Sequence, residues 1–285
     1  MRSTVVLLVL ASLSACNPPT ESSAATEVPI AATPAALTFD GAGASETASQ
    51  VAHGKRLSHI LGCTGCHRAN LEGTLFNKDA PEMGKIYASN LTQAIPAMSD
   101  QQLEKLLREG VHPTRGDMWI MPSEVFQHLS AADMAALIAH LRTVKPSGDP
   151  TPPPELSAKG RAEVASGKMR PTAKWVAQYR TELPADLGDQ HRWGQHLASI
   201  TCAECHGGNL EGIADFGPGI STPNLDIAGV YNHAELTRLL TTGEGKTRKD
   251  LGLMTLVGKE HFSYLTPRER SAIIAYLKAR AERPQ

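Results

Sequence analysis

Apolar residues recur at helical spacing in several stretches of the chain, with polar residues between them. The spacing predicts a helix over 50–61 and a second helix that begins after Ser99 and ends at Gly110. A third helix is predicted to begin at Ser130, whose hydroxyl can cap it, with Asp133 in an acidic variant of the capping box. These elements predict a mostly α-helical unit.

The second half of the chain repeats this pattern. The segment 70–73, Asn-Leu-Glu-Gly, recurs identically at 209–212. The closing helix of the second half is predicted to start at Thr266, with Pro267 at its first position and Glu269 as a capping-box residue. Positions that match with identical spacing in the second helix are Leu103, Leu106, Leu107 and Gly110, and Leu236, Leu239, Leu240 and Gly243. Such a duplication predicts two units with one architecture.

A proline-rich segment separates the two units. Five prolines within 146–154 favour an extended, polyproline-like path. We therefore predict a first unit at 46–146, a linker at 147–190 with a short helix near 174–180, and a second unit at 191–285.

The chain starts with a short apolar run behind one basic residue. Arg2 precedes the apolar run 5–13, which is too short to span a bilayer comfortably. Residues 1–15 are therefore predicted to be a cleaved secretory signal. Residues 16–45 are rich in Ala, Pro, Ser, Thr and Gly without a helical or strand period, which predicts a disordered tether.

The end of the predicted signal carries a candidate lipidation site. Leu13-Ser14-Ala15-Cys16 resembles the lipobox of bacterial lipoproteins, in which the cysteine becomes the lipidated first residue. A free exposed thiol is reactive, which favours lipidation of Cys16 over an ordinary signal peptide with an incidental cysteine. Asn17 stands where aspartate is associated with inner-membrane retention. The resemblance implies a periplasmic protein with a lipid anchor, the outer membrane being slightly favoured.

Composition and charge narrow the function classes. The chain has 285 residues, enough for two domains, and a formal net charge of -1 with interspersed signs. No basic stripe indicates nucleic-acid binding. Aromatic residues make up only 5%, so a large apolar cofactor in each unit would add needed core volume.

Four of the five cysteines lie in two pentapeptides, Cys63-Thr64-Gly65-Cys66-His67 and Cys202-Ala203-Glu204-Cys205-His206. In such a sequence both thiols can bond covalently to the two vinyl groups of one haem, and the histidine becomes an iron ligand. A zinc site or a redox-active thiol pair is the alternative, but neither explains the histidine after each pair. We predict two covalently bound haem c groups. The cofactor-binding candidates are Cys63, Cys66, His67, Cys202, Cys205 and His206.

A thioether sulfur is the expected sixth ligand of each iron, because it suits electron transfer. Met254 is the only methionine after His206. In the first unit the candidates are Met118 and Met121. Met121 lies 11 residues after Gly110, as Met254 lies 11 after Gly243, whereas Met118 lies 11 residues before Leu129, as Met254 lies 11 before Leu265. Met121 is preferred because Met121-Pro122 resembles the Met-Pro ligand motif of many cytochromes c, and proline fixes the backbone beside the metal. The predicted metal ligands are His67, Met121, His206 and Met254.

Residues 46–285 resemble the periplasmic diheme cytochromes c related to the cytochrome subunits of membrane-bound alcohol and gluconate dehydrogenases. The resemblance rests on both pentapeptides, the loop Asn90-Leu91-Thr92, the Met-Pro motif and the closing helices. It implies two tandem class I cytochrome c domains, with unidentified redox proteins as donor and acceptor. The implied function is a one-electron carrier in a respiratory or dehydrogenase-linked chain, not an enzyme. Those subunits often carry three haems, whereas this chain has two candidate sites.

Two other functions remain open at this point. A diheme peroxidase-like enzyme would also contain two pentapeptides, but such chains are longer and no matching acid-base constellation is visible. An electron-accepting subunit of a membrane-bound dehydrogenase is the other alternative.

Residues around the candidate sites carry further expectations. The remaining histidines are expected at the surface or beside haem propionates, with His112 and His261 the alternatives as iron ligands. The carbonyl of Pro223 is expected to orient His206, an arrangement from which Ser89 departs in the first unit. Asn90 and Asn224 are expected to brace their loops.

Overall fold

The computed structural model describes residues 37–217 and 220–284. The predicted signal, the candidate lipidation site Cys16 and the tether up to residue 36 lie outside the described residues. Within the described ranges, no helix combines the length and the apolar character needed to cross a bilayer.

Helices dominate the first unit, as the sequence predicts. The helix predicted over 50–61 is Thr47–Ile60, and the caps Ser99 and Ser130 accept the predicted backbone hydrogen bonds. The helices are α1 (Thr47–Ile60), α2 (Cys63–Cys66), α3 (Leu91–Ala94), α4 (Asp100–Glu109), α5 (Ser123–Phe126) and α6 (Ala131–Arg142).

The linker is more structured than the sequence predicts. Residues 146–154 contain neither helix nor strand, but they are followed by α7 (Ala158–Ala165) and α8 (Thr172–Tyr179), the second of which is the predicted short helix. Tyr179 is 3% exposed and donates its hydroxyl hydrogen to the carbonyl of Ala203. The apolar face of α8 is buried, which explains why this segment is ordered.

The second unit repeats the helical order of the first. Its helices are α9 (Arg192–Thr201), α10 (Ala203–His206), α11 (His233–Thr242), α12 (Leu253–Glu260) and α13 (Pro267–Glu282). The predicted capping box between Thr266 and Glu269 is present in α13. In the second unit α12, with 8 residues, stands in the position of α5, which has 4 residues in the first unit. The two repeats therefore differ in length in the segment before the closing helix.

The opening and closing helices of each unit cross at very short distance. A Cβ on Gly54 would lie 1.9 Å from the carbonyl oxygen of Ala136 in α6, and one on Gly194 would lie 2.2 Å from that of Ala272 in α13. Glycine at both positions therefore allows α1 to pack on α6 and α9 on α13.

Short antiparallel ribbons complete the described fold. The strands are β1 (Thr74–Leu75), β2 (Gly84–Lys85), β3 (Tyr87–Ala88), β4 (Val111–His112), β5 (Gly116–Asp117), β6 (Glu155–Leu156), β7 (Ile213–Gly217) and β8 (Ile220–Thr222). They pair as β1 with β3, β2 with β6, β4 with β5 and β7 with β8. Thr74 lies opposite Ala88, and Gly84 opposite Leu156, so that β6 joins the linker to the first unit.

Part of the predicted tether is folded, which corrects the sequence interpretation of residues 37–45. Phe39 is only 1% exposed, and the main-chain nitrogens of Phe39 and Asp40 donate hydrogen bonds to Asp133 and Glu269. We call Thr38–Asp40 the strap. Its burial follows from one aromatic side chain and from partners distant in sequence.

Buried apolar side chains of both units form one continuous core. Leu57 and Leu137 of the first unit belong to it, together with Leu197 and Ile273 of the second. The two units therefore share an apolar interface and are not independent domains joined by a flexible linker.

Candidate functional site

The first pentapeptide is one turn of helix. Gly62, with φ of 73°, turns the chain from α1 into α2, and the nitrogen of His67 donates to the carbonyl of Cys63 at 2.8 Å. In a helical turn, residues three and four positions apart share a face. Cys63, Cys66 and His67 therefore lie on one side of the turn.

The second pentapeptide has the same conformation. Cys202 immediately precedes α10, and the nitrogen of His206 donates to the carbonyl of Cys202 at 3.0 Å. Cys205 and His206 thus lie on the same side of the turn as Cys202. The structure brings together the thiol pair and the imidazole that the sequence predicts at each site.

A main-chain carbonyl fixes each imidazole. The Nδ1 of His67 lies 2.7 Å from the carbonyl oxygen of Ser89, and that of His206 lies 2.8 Å from the carbonyl oxygen of Pro223. Because a carbonyl can only accept, Nδ1 carries the hydrogen and the lone pair is on Nε2. Within residues 37–217 and 220–284, neither Nε2 makes a hydrogen bond. Both histidines are therefore oriented to bind a metal through Nε2.

The expectation that Ser89 departs from this arrangement is wrong. The interaction uses the main-chain oxygen, which every residue possesses, so the change from proline to serine does not remove it. Burial lowers the pKa of both His67 and His206, which keeps each imidazole neutral, as ligation requires.

The repeated Asn-Leu-Glu-Gly segment, to which the sequence assigned no role, positions these carbonyls. A Cβ on Gly73 would lie 2.3 Å from the carbonyl oxygen of Ala88, and one on Gly212 would lie 2.4 Å from that of Thr222. Leu71 and Leu210 have positive φ of 60° and 63°, yet both are buried. Gly73 and Gly212 are required because the backbone of each turn approaches the segment that carries the acceptor carbonyl, Ser89 or Pro223. The buried leucines anchor each turn in the core, which fixes the position of that carbonyl.

The thiols do not have the pKa values of a redox-active pair. Burial raises the pKa of the Cys63 thiol to about 12 and that of Cys202 to about 11, so both stay protonated at neutral pH. Among the described residues, no group of three or more His, Cys, Asp or Glu side chains is placed to hold a metal ion. The two cysteine pairs therefore do not combine into one four-thiolate site.

The two pentapeptides lie close to each other across the interface between the units. A Cβ on Gly65 would lie 3.0 Å from Nε2 of His261, whose Nδ1 is 2.9 Å from the carbonyl oxygen of His59. In the second pentapeptide, burial raises the pKa of Glu204 to about 7, and the charge of Glu204 in turn raises the pKa of Cys66. Glu204 belongs to the second pentapeptide, so the two pentapeptides lie close enough for its charge to act on the Cys66 thiol.

Two histidines that were expected at the surface are buried. His261 is 8% exposed and bridges the two units, and His53 is 6% exposed with Nε2 2.8 Å from Oδ1 of Asp133. Both contribute to packing and hydrogen bonding inside the protein, which corrects the expectation of a surface position.

The candidate sulfur ligands lie at the border of the core. Met118, Met121 and Met254 are half-buried and pack against it, whereas Met134 is 1% exposed inside α6. Ile120, between the two candidates of the first unit, has φ of 71°, which is strained for a β-branched residue. The choice between Met118 and Met121 stays a prediction.

The residues present fit a haem at each pentapeptide. Each site offers two thiols, an imidazole with a free Nε2 and exposed apolar side chains beside the candidate methionines, such as Ile120 and Leu253. Trp119 has a buried Nε1 hydrogen without an acceptor among the described residues, which suits a carboxylate such as a haem propionate.

Comparison with protein families gives two matches to one model, described as cytochrome c, at residues 51–145 and 192–281. Each match contains one pentapeptide and the closing helix of its unit, and together they cover more than half of the chain. No curated protein matches the chain.

Proposed function

This chain belongs to the cytochrome c family, and on that premise we propose that it is a periplasmic diheme carrier of single electrons in a respiratory or dehydrogenase-linked chain. Membership implies covalently bound haem c and electron transfer. We assign one haem to Cys63 and Cys66 and the other to Cys202 and Cys205, each covalently attached through its two cysteines.

Haem iron bound at these sites would supply the one-electron redox chemistry. We propose that His67 with Met121 would hold one iron, and His206 with Met254 the other. A thioether raises the reduction potential and blocks the sixth position. With both positions filled, a small substrate has no coordination site, which favours a carrier over an enzyme.

The single observation that carries the proposal is the hydrogen bond from each Nδ1 to a main-chain carbonyl. Ser89 and Pro223 hold the two imidazoles in the tautomer that binds iron through Nε2. The protein thereby fixes each ligand before any change of iron charge, which limits structural rearrangement during electron transfer.

The proximity of the pentapeptides supports passage of electrons inside the molecule. Gly65 lies against His261, and α9 and α10 pack against α5 of the first unit. This proximity would favour electron transfer between haems bound at the two sites, with the partner protein docking at either unit.

Spectroscopy of the purified holoprotein tests the proposal. We expect two haems per chain and, in the ferric state, the weak red band of methionine-bound iron from both. The absence of that band at both haems would contradict the assignment. Peroxide turnover after half-reduction would instead indicate a diheme peroxidase, and copurification with a flavin or quinone subunit would indicate a dehydrogenase subunit.

We further propose that Cys16 carries a lipid that anchors the protein to a membrane, with the outer membrane slightly favoured. Residues 17–36 would then connect the anchor to the strap. We expect Cys16→Ser to release the protein from the membrane fraction into the periplasmic fraction, and persistent membrane association of this variant would refute the anchor.

A further inference from the structure

The closing helices carry matched buried carboxylates. Asp133 in α6 and Glu269 in α13 hold the same capping position, and both are 0% exposed. In a capping box this side chain bonds back to the main-chain nitrogen of the cap, which satisfies only part of a buried carboxylate. Burial of both carboxylates therefore needs partners from outside their own helices.

The strap supplies one partner to each carboxylate. The main-chain nitrogen of Phe39 donates to Oδ2 of Asp133 at 3.1 Å, and that of Asp40 donates to Oε1 of Glu269 at 2.8 Å. Consecutive residues thus bind the equivalent helix starts of the two units. The indole nitrogen of Trp193 also donates to the carbonyl of Thr38 at 2.8 Å.

Besides the Thr266 nitrogen of its own cap, Glu269 accepts hydrogen bonds from Arg56 of the first unit. Its Nη1 lies 2.8 Å from Oε2 and its Nη2 lies 3.0 Å from Oε1, which is a two-point arrangement with directional hydrogen bonds. The Glu269 side chain is 0% exposed and that of Arg56 is 21% exposed, so solvent screens this pair only in part. The same guanidinium donates to the carbonyls of Asp40 and Tyr264.

This contact is connected to the first pentapeptide through α1. Arg56 is in α1, which leads into Cys63, and the next turn of α1 carries His59, whose ring stacks on Tyr264 with centroids 4.1 Å apart. The carbonyl of His59 accepts from His261, the residue that touches Gly65. The contact between Arg56 and Glu269 therefore joins the second unit to the helix that leads into the first attachment site.

We propose that the strap, Arg56 and Glu269 together fix the distance and angle between the two haems, and that Arg56 and Glu269 are positioning residues for electron transfer between them. This inference rests on the proposed function, since it requires a haem at each pentapeptide. It assigns a role to a segment and an ion pair that touch neither cofactor-binding sequence directly.

The chain offers a conservative variant and a matched control. Gln102 completes the capping box of α4 with Ser99, so Glu269→Gln can keep its cap while losing the charge that accepts from Arg56 and Asp40. Glu235 holds the same position in α11 and pairs with Lys246 inside the second unit. Glu235→Gln therefore removes an equivalent charge away from the interface.

The experiment uses the full-length holoprotein with Glu269→Gln, Arg56→Gln, their double variant and Glu235→Gln. Two haems held close together give an exciton-coupled pair of Soret bands in circular dichroism, and flash reduction gives the rate of electron exchange between them. In both single variants we expect the coupled signal to fall by more than half and the exchange to slow. The equilibrium constant between the native arrangement of the two units and separated units should fall at least about tenfold, which corresponds to ~1.4 kcal/mol.

Other readouts separate positioning from general damage. We expect the red methionine band and the haem content to be unchanged in all variants, the double variant to be no worse than either single variant, and Glu235→Gln to match the parent. Arg56→Gln leaves the α13 cap intact, so this variant alone tests the positioning role if Glu269→Gln does not fold.

Unchanged coupling and exchange in Arg56→Gln would overturn the inference, as would an equal loss in Glu235→Gln. A parent protein without two haems or without methionine ligation would refute the proposed function instead. A parent with both haems correctly ligated but without exciton coupling would refute only the positioning role.

Discussion

Asn90 and its repeat Asn224 are predicted to differ in their contribution to stability, although each caps a helical turn. Asn90 is 2% exposed, and its Oδ1 accepts from the nitrogen and the hydroxyl of Thr92. Its Nδ2 donates to the carbonyls of Ser147 at 2.8 Å and Asp149 at 3.0 Å. This side chain therefore ties the proline-rich linker to the loop that carries the carbonyl partner of His67.

Asn224 has fewer partners and is exposed. Its Oδ1 accepts from the nitrogen of Asp226 at 2.8 Å and from Nη1 of Arg280 at 2.9 Å. Arg280 keeps Asp226 as an ion-pair partner when Asn224 is replaced. The change Asn224→Ala therefore removes little more than the cap.

The structure gives a different cost for each alanine substitution. Loss of a capping side chain costs ~1 kcal/mol in either case. Asn90→Ala also breaks two buried amide hydrogen bonds, each of which contributes ~1 kcal/mol. We therefore expect a loss of about 3 kcal/mol for Asn90→Ala, against about 1 kcal/mol for Asn224→Ala.

Denaturant unfolding followed by far-ultraviolet circular dichroism measures both costs, with the midpoint lowered and the slope unchanged. The red band of the first haem should weaken in Asn90→Ala, because Ser89 directly precedes the altered residue and positions His67. Equal losses in the two variants, within about 0.5 kcal/mol, would refute the reasoning.

Three further results are expected. Met121→Leu should abolish the red band of one haem while Met118→Leu leaves both, and the reverse outcome would assign Met118 instead. Gly194→Ala should lower the free energy of unfolding by about 3 kcal/mol in denaturant titration, since its Cβ would lie 2.2 Å from a carbonyl oxygen. Gly43→Ala, which meets nothing within 4 Å, should be neutral, and equal stability of the two would contradict the close helix crossing. Burial lowers the pKa of His196 to about 4, so stability should fall by up to about 3 kcal/mol as pH drops from about 6.5 towards 4, where the unfolded chain binds the extra proton. In His196→Gln this component should be missing from unfolding curves measured between pH 7 and pH 5, and an unchanged pH dependence would contradict it.

Local chemistry explains why the helices could be predicted. Ser99 and Thr266 cap helices because their side chains reach backbone groups only a few residues away, and Gly110 ends α4 in the left-handed conformation that glycine adopts freely. The conformation of each pentapeptide is equally local, since one helical turn places both cysteines and the histidine on one face.

Pairing between distant residues explains what could not be predicted. The composition of the strap predicts a disordered tether, whereas its order depends on Asp133 and Glu269, which lie far away in the chain. The side chain of Ser89 differs from that of Pro223, but the interaction with His67 uses the main-chain carbonyl, which the sequence pattern does not distinguish.

The amino-acid pattern alone predicts that two helical units each present two thiols and one imidazole in a single turn, because that arrangement depends on residues within five positions of one another. The folded structure is needed to show that Glu204 lies near Cys66, that carbonyls of Ser89 and Pro223 orient the imidazoles, and that Arg56 contacts Glu269. These contacts form between residues that are brought together when the two units bury one shared apolar core. Because apolar burial is not directional, a local sequence pattern does not predict which distant residues will meet.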